Sequence, residues 1–195
     1  RTTIDHAADI AQMPVIVGQS FRDRRTPVFV SELRYLVFRP FWDVPASIQE
    51  EMRRTGQPVL EHVPPGPDNP LGDYWIGIGL DGVGIHGTPH PGSVYRFSTH
   101  GCVRVHPSLI ASLFKVIPEG ARGEVIYQPY LLARTVDGIF LEAHPDAYHQ
   151  GASDPFDHVR RAAAAAGMID AVDWAIARLV IEERLGTPRR IDRGP

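Results

Sequence analysis

"IHGTPHPGSVYRFSTHGCVRV", residues 85–105, is the stretch whose reading decides the fold. It holds the chain's one cysteine, Cys102, set directly after His100 and Gly101 and two residues before Arg104. A buried structural thiol needs no such company. A thiol becomes a better nucleophile beside cationic groups and where backbone N–H groups converge, because both favour the thiolate. Gly101 has no Cβ to crowd an incoming carbonyl and permits dihedrals that aim successive amides at one point. His86 ends a predicted strand and is followed at once by Gly87, so its imidazole is held rigidly with open access beside it. These residues read as a Cys–His pair with an oxyanion hole built from amides around Gly101 and Cys102. The order His before Cys is unlike the papain pattern, in which the cysteine comes first.

Around this stretch, strand and turn signals run from Met13 to about Tyr130. "MPVIVG" (13–18), "LRYLVF" (33–38), "YWIGIGL" (74–80), "GVGIH" (82–86) and "EVIYQPY" (124–130) are short runs of β-branched and aromatic residues, bounded by Gly, Pro, Asp and Asn. "LDG" (80–82) suits a hairpin turn, and the Pro-rich "VPPGPDNPLG" (63–72) must be an ordered loop outside any sheet interior. Pro107 opens a helix whose apolar face is Leu109, Ile110, Leu113 and Phe114, and Pro118 stops it. After a further strand, "GIFLEAH" (138–144), the pattern turns helical. Ser153 or Asp154 caps one helix running to Gly167. A second, from about Asp170 to Gly186, carries Val172, Ile176, Leu179 and Val180 on one stripe. The expected arrangement is a catalytic domain over 13–130 followed by a final strand and helical tail over 131–195, its helices packed on the sheet.

Composition narrows the function classes. The 195 residues are 43% hydrophobic and 22% charged, ordinary for a packed globular chain. A net charge of −3 argues against a nucleic-acid partner bound through a broad basic surface. Only Lys115 among the basic residues is a lysine. No apolar run approaches the length of a membrane span, and one cysteine cannot form an internal disulfide. The start at Arg1 suggests a processed or trimmed piece, with any signal peptide upstream.

The full string is far more specific than a Cys–His pair. His86-Gly87, a short variable stretch, then Thr99-His100-Gly101-Cys102-Val103-Arg104 resembles the signature of the L,D-transpeptidases, the YkuD-type catalytic domain. "MPVIVGQSFRDRRTPVFVSELRYLVFRPFWDVPASI" (13–48) and "PPGPDNPLG" (64–72) are similar to the upstream region of periplasmic members, so the likeness covers roughly residues 13–130. The segment between Ile48 and Pro64 is short here, where relatives often carry a longer lid; the lid segment spans about 48–66.

The resemblance implies a mainly β (α+β) fold, sandwich- or barrel-like, with a helix after the cysteine motif and a C-terminal helical tail. It implies an enzyme of peptidoglycan and cell-wall biogenesis, bearing on cell shape, located in the periplasm or cell envelope. The cysteine attacks the third residue of a tetrapeptide stem and expels D-Ala, and a diamino-acid amine of a neighbouring stem completes a 3→3 cross-link. Cys102 is then the nucleophile and His86 the proton carrier. The Gly87 carbonyl orients the ring, and His100, Gly101 and Cys102 supply oxyanion amides. Arg104 and Thr99 serve substrate or loop, and Tyr95, Phe97 and Trp75 are candidate cleft residues. Carbapenems are the expected inhibitors; no metal or organic cofactor is implied.

Each residue also has a plainer reading. Cys102 could be an inert core thiol, His86 a satisfied core histidine and Arg104 a structural ion-pair partner. His90 reads as a solvent-facing loop residue, His106 as a helix-start residue, and Tyr74, Trp75, Tyr95 and Phe97 as core aromatics. Two other acceptors remain open: water, which would make an L,D-carboxypeptidase, or a protein lysine. From a different class, a zinc module using His86, His90, His100, Cys102 or His106 lacks any His-Glu-x-x-His or Cys-x-x-Cys spacing.

Overall fold

The computed structural model describes residues 2–6, 9–13, 15–21, 24–95 and 99–193, with the backbone alone for residues 2–6, 9–13, 16 and 95. The chain forms two compact units, Arg1–Val125 and Ile126–Pro195. The class is the expected mainly β α+β.

In the first unit β1 (Thr2–His6) and β2 (Asp9–Met13) form an antiparallel pair. The strands that follow are β3 (Val15–Ile16), β4 (Phe29–Glu32), β5 (Tyr35–Phe38) and β6 (Trp42–Asp43). Helix α1 (Ala46–Arg54) leads to β7 (His62–Val63), β8 (Tyr74–Leu80), β9 (Val83–His86) and β10 (Val103–Val105). Helix α2 (Pro107–Val116) and β11 (Arg122–Val125) complete the unit. The central sheet runs β3-β10-β9-β8-β5, with β11-β4 and β6-β7 as separate pairs. β8 and β9 form the predicted hairpin, and Gly82 at its turn has φ +73°, a conformation that favours glycine.

Alternation along these strands sends Ile76, Ile78, Val103 and Val105 to one face, where they are buried with Ile110 and Leu113 of α2. Pro107 opens α2 as the sequence predicts, and the His106 side chain caps the helix by accepting from the Ser108 N–H.

Loop 64–72 is fastened from within. Asn69 is fully buried; its Nδ2 donates to the carbonyls of Pro40 (2.9 Å), Val63 (3.4 Å) and Pro64 (3.3 Å), while its Oδ1 accepts from the Leu71 N–H (2.9 Å). Prolines leave this stretch with few backbone donors of its own, and one amide side chain replaces them.

The second unit holds β12 (Tyr130–Thr135), β13 (Gly138–Ala143), α3 (Pro155–Ala165), α4 (Trp174–Glu183) and β14 (Arg189–Arg190). The strands make an antiparallel sheet, β12-β13-β14. Its core joins Ile139, Leu141, Val159, Ala163, Val180 and Ile181. The two helices therefore pack on a sheet belonging to their own unit. Among the described residues no helix is long and apolar enough to cross a membrane.

Three expectations need correction. "EVIYQPY" is not one strand: β11 stops at Val125 and β12 begins at Tyr130, because Pro129 has no N–H for a ladder. The segment expected only as a short lid is helical over 46–54; α1 has no fully buried residue, and its half-buried apolar side is only Ile48 and Met52, too short a stripe to read. The last helix starts at Trp174, capped by the Asp173 carboxylate, which accepts from Ala175 and Ile176 N–H. Its buried stripe is Ala177, Val180 and Ile181; Leu179 is 49% exposed, and Val172 lies before the helix in a bridge to Asp192. In α3 the cap is Asp154 rather than Ser153.

Asn69→Ala removes the partner of several buried backbone groups at once. It should destabilise the first unit by about 3 kcal/mol, at the upper end for lost buried hydrogen bonds. Urea denaturation followed by tryptophan fluorescence checks this; a change below about 0.5 kcal/mol would mean that the loop holds without the amide.

Candidate active site

The site stands on the face of the central sheet opposite the apolar core. β9 and β10 pair in parallel with His86 opposite Arg104 and Ile85 opposite Val103. β8 pairs with β9 so that Trp75 lies opposite His86 and Gly77 opposite Gly84. Side chains alternate along a strand, so Trp75, His86 and Arg104 share one face, and Cys102, two residues before Arg104, belongs to the same side. Cys102 immediately precedes β10, two residues before the Arg104 that stands opposite His86. Gly77 and Gly84 make room for two aromatic rings on this face. A Cβ on Gly84 would come within 2.5 Å of the Trp75 ring, and one on Gly77 within 2.6 Å of the Tyr35 ring.

His86 is 3% exposed. Its Nδ1 lies 2.6 Å from the Gly87 carbonyl, which only accepts, so Nδ1 carries the hydrogen and Nε2 keeps its lone pair. The ring stacks on Trp75 with centroids 6.0 Å apart. Burial, with the Arg104 cation second, pulls the imidazole pKa down to about 4 against the opposing pull of the Gly87 and Leu71 carbonyls. His86 is therefore a neutral, fixed-tautomer base at pH 7.

Cys102 is a free, half-buried thiol whose Sγ lies 3.5 Å from the Gly82 carbonyl. Burial pushes its pKa up, and a backbone hydrogen bond with Gly84 and the Arg104 charge only partly offset this. The sequence pointed to a thiolate favoured by nearby cations. In the folded chain desolvation outweighs them, and the resting pair is neutral thiol and neutral imidazole.

The loop before Cys102 is braced on several sides. The buried Thr99 hydroxyl donates to the Cys102 carbonyl at 2.6 Å, and the Thr99 carbonyl accepts from Gln19 N–H at 3.0 Å. Thr99 thus closes its own loop. Gly101 has φ +108°, in the range that disfavours any residue with a Cβ. The His100 ring points at Glu51 of α1, Nε2 to Oε2 2.9 Å. Arg104 is half-buried and donates from Nη1 to Ser93 Oγ at 3.3 Å.

His90 lies exposed in the loop after β9 and His106 caps α2, both as their plainer readings held. Tyr95 ends a short 3-10 turn, Pro91–Tyr95, and its side chain lies outside the described residues, as does all of Phe97. Among the described residues no three His, Cys, Asp or Glu side chains gather as metal ligands, so the zinc reading has no ligand set there. A cleft of about 540 Å³ opens beside Gly87 and Thr88, walled by Phe38, Tyr74, Pro107 and Ile110; neither His86 nor Cys102 lines it. Residue-by-residue reading of the sequence missed Glu51, Arg24 and Asn69. Only the spatial neighbours of the motif loops reveal them.

The L,D-transpeptidase catalytic domain (YkuD) family profile matches residues 1–126. The chain is 30% identical over 188 residues to the probable L,D-transpeptidase YbiS of Escherichia coli strain K12, covering 92% of this chain and 60% of that protein. It therefore spans about 60% of the length of this curated relative. Over 61 residues, 29% of this chain and 35% of the relative, it is 49% identical to the putative L,D-transpeptidase YqjB of Bacillus subtilis strain 168. A solved L,D-transpeptidase from Mycobacterium smegmatis superposes with a TM-score of 0.44 at 19% identity, covering 64% of this chain and 53% of that one.

A neutral resting pair has a measurable signature. Iodoacetamide alkylation of Cys102 should rise with pH through a midpoint above the ordinary thiol value of 9.0. A midpoint below 7 would establish a thiolate–imidazolium pair instead. His86 adds a linkage effect. The unfolded chain takes up its proton near 6.5 and the folded chain only near 4, so stability is lost as pH falls through that window. Thermal denaturation of wild type and His86→Gln from pH 7 to 4 should show the wild type losing stability more steeply.

Proposed function

The chain belongs to the L,D-transpeptidase catalytic-domain family, and from that premise we propose that it is a cysteine-dependent enzyme forming 3→3 cross-links in peptidoglycan. The observation that supports this reading is the β8-β9-β10 register, with His86 opposite Arg104, Cys102 two residues before Arg104, and the His86 Nδ1–H held by the Gly87 carbonyl.

His86 takes the S–H proton on Nε2 as Cys102 Sγ adds to the carbonyl carbon of the third stem residue. Backbone N–H groups of the His100–Cys102 turn receive the oxyanion. Collapse of the adduct breaks the bond to the terminal D-Ala nitrogen, and the imidazolium returns its proton to that departing amine. A side-chain amine of a second stem then adds to the thioester and gives a proton to Nε2. The thiol leaves with that proton restored. A neutral base suits this cycle, because it must accept a proton at the start of each half-reaction. The Gly87 carbonyl plays the part a carboxylate plays in a serine-protease triad, holding the tautomer without adding a charge. Arg104, between Ser93 and the reacting pair, opposes protonation of His86 and stabilises negative charge growing on sulfur. Trp75 packs the ring of His86, and Thr99 holds the loop. The reaction's substrates place it in the bacterial periplasm or envelope.

Incubation with a disaccharide-tetrapeptide followed by mass spectrometry tests the reading. A dimer lacking one D-Ala is the expected product; a tripeptide would instead indicate water as acceptor, and unchanged substrate would overturn acyl transfer altogether. A peptidoglycan-bound lysine peptide, if one were supplied and consumed, would mark protein attachment. A carbapenem should acylate Cys102 stoichiometrically, since ring opening leaves the fragment tethered as a thioester, and the intact mass should rise by the whole carbapenem. Cys102→Ser should stay unmodified, its hydroxyl being far less acidic. His86→Ala should acylate at least about 10²-fold more slowly, the order for a lost general base; wild-type rates in that variant would remove His86 from the mechanism.

A further inference from the structure

Helix α1 is an oddity of the first unit, a helix that buries none of its residues. What ties it to the motif loop is polar. Glu51 Oε2 lies 2.9 Å from His100 Nε2 and 2.8 Å from Arg24 Nη2, and Glu51 Oε1 lies 3.3 Å from Arg24 Nη1. Arg24 Nη1 also donates to Gln19 Oε1 at 2.8 Å. Gln19 in turn donates its backbone N–H to the Thr99 carbonyl, and Gly18 bridges Thr99 directly. The Thr99–Cys102 loop is therefore held at its start by backbone and at His100 by a carboxylate, and both holds lead back to Arg24. The next residue, Gly101, sits at φ +108° with the Arg25 carbonyl 3.4 Å from where its Cβ would be. Rotation of the peptides flanking Gly101 meets no side-chain barrier of its own, so their orientation depends on what anchors the neighbours.

We propose that Glu51 is a positioning residue of the active site: through the His100 ring it fixes the peptide planes of the His100–Cys102 turn, and with them the aim of the oxyanion-binding N–H groups. The inference rests on the acyl-transfer reading given above. Glu51 touches neither the nucleophile nor the base, and its effect reaches the reaction only through the loop. Arg24 is its second anchor, grasping both carboxylate oxygens so that one of them stays directed at His100. The Arg24 and His100 hydrogen bonds hold the Glu51 carboxyl below its usual range, so the tie persists through neutral pH and is lost as pH falls through that lowered value. Aiming amides matters more than it would at the surface, since a displaced donor at a developing oxyanion typically costs on the order of 10²-fold in rate.

The test separates oxyanion geometry from thiol reactivity. Alkylation of Cys102 by iodoacetamide needs no oxyanion hole, whereas acylation by a carbapenem does. Glu51→Ala should lower the first-order acylation rate at saturating carbapenem by at least about 10-fold. Alkylation by iodoacetamide should stay within about twofold of wild type. Glu51→Gln keeps an oxygen for the His100 N–H and should recover acylation to within about threefold of wild type. Acylation of Glu51→Ala at the wild-type rate overturns the proposal, and so does an equal loss of acylation and alkylation, which would mean general damage to the site. Should Glu51→Ala not fold, Glu51→Asp, shorter by one methylene, decides by the same two rates. A wild type that alkylates but never acylates overturns the acyl-transfer reading itself, an outcome distinct from any failure of Glu51.

Discussion

The parallel pairing of β9 with β10 is the constraint on which the rest of the site depends. Parallel neighbours cannot be joined by a tight turn, so the chain between His86 and Val103 must leave the sheet at the end of β9 and cross back to the opposite end, where β9 begins. That crossover includes Thr88, Ser93, Thr99, His100 and Gly101. With His86 opposite Arg104, a slip of one residue would send either His86 or Cys102 into the apolar core. The hydrophobic face prevents that slip: Val103 and Val105 on β10 and Ile85 on β9 all pack with Ile110 and Leu113 of α2. Packing on one side of the sheet thereby sets the register of His86 against Arg104 on the other.

The same burial sets the chemistry. A histidine this enclosed cannot hold a proton at neutral pH beside an arginine, and a thiol this enclosed cannot readily lose one. Both groups therefore rest uncharged at neutral pH. The arrangement spares the fold two charged groups cut off from water.

Much of the candidate site was legible in residues 85–105, because a turn glycine, a strand-end histidine and a cysteine flanked by His100 and Arg104 sit in local geometry that short spacing encodes. The hairpin at 80–82 and the start of α2 at Pro107 were legible for the same reason: backbone conformation there follows from single residues. Helix α1 was not, since only Ile48 and Met52 mark its half-buried side, and two apolar residues make no readable period. The strand expected over 124–130 failed because side-chain type suggests a ladder that Pro129 cannot join.

What the sequence by itself determined was the inventory of chemistry: one thiol, its histidine, the glycines that clear space around them, and the family to which that order belongs. Tertiary structure alone decided which groups meet. Glu51 reaches His100 and Asn69 reaches Pro40 across long separations in the chain, and such contacts leave no period or motif to read. Folding also decided the protonation states. Sequence shows which charges are near in order, but desolvation depends on everything packed around a group, and here it outweighs the cations that the sequence places beside Cys102.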